Sequence, residues 1–167
     1  MSEGAEVVVR AVLMGIGATA ALDLWNALLK SALGIPSLNL RMLGRWLGHF
    51  PRGRFVQHDI ANAAPVRGEL LLGWTAHYTI GITFAALLLA ICGLDWARHP
   101  TLLPALALGL VTVAAPLFVM QPGMGMGVAA SRAPNPNAAR LKSVVSHAVF
   151  GVGLYGSALL SSLLIRP

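Results

Sequence analysis

Leu70-Leu71-Leu72-Gly73-Trp74-Thr75-Ala76-His77-Tyr78-Thr79-Ile80-Gly81-Ile82-Thr83-Phe84-Ala85-Ala86-Leu87-Leu88-Leu89-Ala90-Ile91-Cys92-Gly93-Leu94 runs without one charged side chain between Glu69 and Asp95. As a helix rising 1.5 Å per residue it outspans a hydrocarbon core of about 30 Å. Three further stretches qualify on either side of it, giving expected spans at residues 7–32, 70–94, 102–121 and 144–165. The whole chain of 167 residues is 56% hydrophobic and 11% charged, with a mean hydropathy of +0.72. A soluble domain carries about 25% charged residues, so this chain has too little polarity to cover a globule in water. That excludes a soluble enzyme, a disordered chain and a conventional nucleic-acid reader. The expected fold is all-α: an integral membrane four-helix bundle, one transmembrane domain over residues 1–167.

The first span competes with a signal peptide, since Ala18-Thr19-Ala20 resembles a cleavage site. The leader holds Glu3 and Glu6 where a signal peptide begins with positive charge, and the apolar run continues through Leu28 and Leu29. A retained helix is expected. Direction follows from basic residues. Lys30, Arg41, Arg45, Arg52, Arg54 and Arg67 flank or fill the first long loop, and Arg132, Arg140 and Lys142 the second, against Arg10, Arg98 and Arg166 on the other side. Nine against three predicts that both long loops are cytoplasmic and both termini outside. The net charge of +6 is explained by this bias, and no nucleic-acid partner is expected. The lone cysteine, Cys92, offers no disulfide framework.

The second span opens His77-Tyr78-Thr79-Ile80-Gly81-Ile82 and the fourth His147-Ala148-Val149-Phe150-Gly151-Val152. The halves read either as two parallel helix-pair repeats or as a chance echo of a small apolar vocabulary. In both cases Asp23, His77 and His147 fall at comparable depth, with Asn26 on the face of Asp23 and Gln121 shallower. Ionisable groups at such depth cost at least ~2.5–3.5 kcal/mol and face the bundle interior with a partner. We expect these five to form a polar cluster on the cytoplasmic side. Three readings stay open: a register-fixing Asp–His pair, a proton-exchanging solute site, or haem b or a transition metal held by His77 and His147. Pro116 is expected to kink the third span.

In the first loop Pro36-Ser37 offers a helix start, after which Leu40, Leu43, Leu47 and Phe50 recur at helical spacing opposite Arg41 and Arg45. That pattern predicts an amphipathic helix lying in the interface, with Leu and Trp46 toward lipid. Arg45, His49, Arg52, Arg54 and Arg132 are the candidate contacts to anionic headgroups or an anionic substrate. The second loop, Gln121-Pro122-Gly123-Met124-Gly125-Met126-Gly127, is glycine-rich but has no Lys-Ser/Thr pair at phosphate-loop spacing. Its methionines, with Met120, are a candidate Cu(I) set, and Asn137 is the candidate cap of the last helix.

Gly34-Ile35-Pro36-Ser37-Leu38-Asn39, Gly44-Arg45-Trp46-Leu47-Gly48-His49 with Pro51-Arg52-Gly53, and residues 121–136 together resemble a bacterial domain-of-unknown-function family of small multi-span membrane proteins. The resemblance runs from about Ala11 to Leu163. It implies a bundle in a bacterial inner membrane and carries no catalytic residues. The function expected is non-enzymatic binding of a small solute or partner membrane protein through the polar cluster and basic loops. No cofactor is expected under that reading, and a homo-oligomer or complex subunit is.

Overall fold

A computed structural model describes residues 1–36 and 38–165. Five helices, α1 (Glu3–Leu33), α2 (Leu40–Gly48), α3 (Glu69–Arg98), α4 (Leu102–Gly123) and α5 (Pro136–Leu164), make up the chain, and no strand occurs among the described residues. α1, α3, α4 and α5 are each long and apolar enough to cross a membrane, which fits a multi-pass membrane protein.

Their ends follow from local chemistry. Ser2 accepts from the amide of Ala5 at the start of α1, and Glu3 and Glu6 sit where the helix dipole favours anions. Gly34, at φ 66, turns left-handed to close it, and the Ile35 amide reaches back to Leu29. The start of α2 differs from expectation: Asn39 caps it, accepting from Arg41 and Met42, while Ser37 lies outside the described residues, as does Arg166. α5 likewise begins earlier than expected. Pro136 takes its first position, where no amide is needed, and Asn135 rather than Asn137 caps it by accepting from Ala138. Pro116 does distort α4, as a π-helical turn over Pro116–Met120 closed by the Gln121 amide on the Pro116 carbonyl. α3 is broken by Gly93 at φ 78, ψ 172.

The chain forms two compact units, residues 1–37, 78–112 and 146–167, and residues 38–77 and 113–145. In the first unit Met14, Ala18, Ala85, Leu88, Leu154 and Ala158 are buried together. Small residues set the helix crossings. A Cβ on Gly15 would strike the backbone of Gly81 and Ile82, and one on Gly109 would meet Gly151 and the His147 carbonyl, so α1 lies against α3 and α4 against α5 at backbone contact. Arg10, wholly buried, binds the carbonyls of Ala97 and Ile165 and the Ser161 hydroxyl at 3.2, 2.8 and 3.2 Å. It thereby gathers the start of α1 and the ends of α3 and α5. Glu6 neutralises it at 2.8 Å and also takes Arg98 at 2.8 Å.

In the second unit Leu43, Trp46, Ile60 and Met124 form the core. α2 lies across the start of α3 so closely that a Cβ on Gly44 would collide with the Glu69 carbonyl, and one on Gly73 with that of Leu40. The amphipathic helix thus forms, but its apolar side, expected against lipid, is covered by the unit's own Ile60, Met124 and Ala63. The Trp46 indole donates to the Phe55 carbonyl at 2.8 Å. The chain after α2 supplies the cover that the helix taken alone seeks from acyl chains. Met124 is buried in this core, with Met120 packed against it.

Candidate functional site

The five residues expected as one polar cluster divide between the units. Asp23, Asn26 and His147 belong to the first, His77 and Gln121 to the second. Asp23 accepts a 3.1 Å bond from the Tyr78 hydroxyl, a partner missed although it adjoins His77. His147 Nδ1 lies 3.0 Å from the Thr112 hydroxyl, which donates to the Gly109 carbonyl at 2.7 Å. Within the second unit, His77 stands edge-on to Trp74 at 6.2 Å between ring centres. Gln121 is buried, donates weakly to Ser143 at 3.4 Å, and leaves its carbonyl oxygen unpartnered.

The basic candidates also separate. Arg45 turns inward, placing Nε and Nη2 on the two Glu69 oxygens at 2.9 and 3.0 Å and Nη1 on the carbonyls of Ala61 and Ala63. Glu69 also takes the Val66 amide and lies 3.5 Å from Arg41. The Glu69 hydrogen bonds raise Arg45 above its ordinary pKa. His49, 1% exposed, gives Nε2 to the Ala64 carbonyl at 3.0 Å. Neither is therefore presented to a headgroup or substrate: the buried Glu69 carboxylate claims the arginine, and the buried imidazole is turned onto the Ala64 carbonyl. Arg52, Arg54 and Arg132 stay exposed.

Arg132 borders a cleft of the second unit. This cleft of about 540 Å³ is lined by Val56, Gln57, His58, Pro122, Gly125, Gly127, Val128, Ser131 and Arg132. Two loops build it, joined by Gln57 N to Gly123 O at 2.8 Å and Ile60 N to Met124 O at 3.2 Å. Gly125, at φ 89, lies where a Cβ would strike the His58 carbonyl, so this register needs glycine. Beyond it Ala129 and Ala130 are left-handed, at φ 49 and 56, a conformation costing roughly 1–2 kcal/mol per residue without compensation. Arg140 holds the turn, donating to the Ala129 carbonyl at 2.8 Å and to Asn137 at 3.2 Å. Strain concentrated beside a cleft is a mark of functional loops. Arg132 and His58 supply positive charge or donors, Ser131 a hydroxyl, and Gln57 an amide nitrogen that is buried and unpartnered. No carboxylate is among the lining residues. Gln57 and His58 carry no periodic signal in the sequence; only the pairing of the two loops reveals them. Among the described residues no group of three His, Cys, Asp or Glu side chains could hold a metal ion.

Charge follows the same division. The second unit holds eight basic and two acidic residues, whereas the first has four of each along the sequence. The entire net charge thus resides in the unit that carries the cleft.

Four apolar helices and a separate basic loop unit define the class, a small helical multi-pass membrane protein. The chain belongs to the family described as "Protein of unknown function (DUF2938)", which matches residues 12–161. No curated protein and no solved structure matches it.

Proposed function

We propose that this is a non-enzymatic membrane protein of the bacterial inner membrane that binds a small anionic ligand in the cleft of its basic loop unit, on the cytoplasmic side. The observation carrying this reading is the cleft itself, in which Arg132 and His58 meet no lining carboxylate. Guanidinium groups bind carboxylate and phosphate through paired donors, and an excess of cations raises the local concentration of anions. Asp23, Tyr78 and His147 then serve the helical unit, as partners that satisfy polar groups at depth.

The test is titration of the detergent-solubilised protein with inorganic phosphate, glycerol phosphate and dodecyl phosphate. At least one should bind saturably, and Arg132→Gln should weaken it about tenfold or more, the loss expected when one charge-assisted hydrogen bond is removed. Absence of saturable binding by all three, or binding indifferent to Arg132→Gln, overturns the proposal.

A further inference from the structure

The cleft is not walled by polar groups alone. Val56 and Val128, 73% and 57% exposed, line it, and Phe55 beside Val56 is 58% exposed. Exposed apolar side chains grouped at a cleft mark a surface that a ligand or lipid covers. Pro122, another lining residue, lies one position before the end of α4. If α4 crosses the bilayer, this part of the cleft stands at the level of the headgroups. The polar lining offers Arg132, His58, Ser131 and Gln57. Their donors match the acceptor oxygens of a phosphate, which the Arg132 guanidinium can hold through two parallel bonds.

We propose that the ligand is amphiphilic: a phosphate-headed lipid whose head lies with Arg132, His58 and Gln57 and whose first methylenes lie along Val56 and Val128. This rests on the anion-binding reading above and goes further by naming the ligand class. Covering even two or three methylenes raises affinity about tenfold or more over the headgroup alone.

The experiment uses the full chain in a neutral detergent held at constant concentration, with dodecyl phosphate, glycerol phosphate and dodecanoate as probes. Dodecyl phosphate should bind at least tenfold more tightly than either of the others. Val56→Ser with Val128→Ser should erase most of its advantage over glycerol phosphate. Both valines are exposed, so the double variant should fold, and an unshifted melting curve checks this. Equal affinity for dodecyl and glycerol phosphate overturns the amphiphile while sparing the anion site. Equal affinity for dodecanoate overturns the phosphate head. A tail advantage unaffected by the serine variants, or by Arg132→Gln, reduces it to partition into the micelle and overturns the proposal. Failure of every probe to bind removes the anion-binding reading as well.

Discussion

Arg45 shows how a single residue changes meaning once its surroundings are known. On an isolated helix it is a cation facing outward; in the folded unit it forms a two-point bond to Glu69 at 2.9 and 3.0 Å. Lysine offers a point charge in place of a planar fork, so Arg45→Lys should destabilise the second unit nearly as much as Arg45→Met, read as lowered melting temperature in detergent. The raised pKa of Arg45 has a definite sign. Its stabilising contribution is present wherever a free arginine is charged and is lost only as pH rises beyond that range, so melting should show no loss from Arg45 between neutral and mildly alkaline pH. Trp46→Phe removes the bond to Phe55 and should cost about 0.5–1.5 kcal/mol. Ala129→Gly acts oppositely. Glycine accepts the left-handed turn without strain, so the variant should melt no lower than the parent, and up to about 1 kcal/mol of strain should be relieved.

Among the elements, the helix crossings depend on glycines rather than large side chains. Gly109 and Gly151 meet backbone to backbone, so Gly109→Val should force α4 and α5 apart at a cost on the order of 1–3 kcal/mol, measured by unfolding in mixed micelles. Spacing alone indicates that such glycines serve packing, yet not which helix each one meets: Gly15, which shares α1 with Gly17, faces α3, whereas Gly17 faces Ser157 of α5. The helices themselves were legible because a 25-residue apolar run has one stable outcome in lipid. The cap of α5 was misplaced by two residues, since Asn135 and Asn137 both suit the role and Pro136 between them decides it. The neighbours that α2 meets on its apolar side, Ile60 and Met124, were not legible for a different reason. Amphipathicity reveals that a face will be buried, never what buries it.

For the whole molecule, the segregation of net charge into one unit makes a kinetic and a topological prediction. Anion binding should weaken steeply as salt rises, because exposed cations are screened over about 8 Å at physiological ionic strength. The nine-to-three distribution of basic residues should place Arg54 in the cytoplasm and Ser2 outside. An impermeant maleimide should then label Arg54→Cys only in inverted vesicles and Ser2→Cys only in intact cells; the reverse would overturn the orientation. Composition and apolar run length by themselves determined an all-helical membrane chain with four candidate spans, because transfer into lipid depends on additive, local properties of side chains. The partners of Asp23 and His147, the inward turn of Arg45 and His49, and the cleft bordered by Gln57, His58 and Arg132 were decided only by tertiary structure. Those outcomes depend on which distant polar group stands within about 3 Å of another, and no periodicity along the chain encodes that distance.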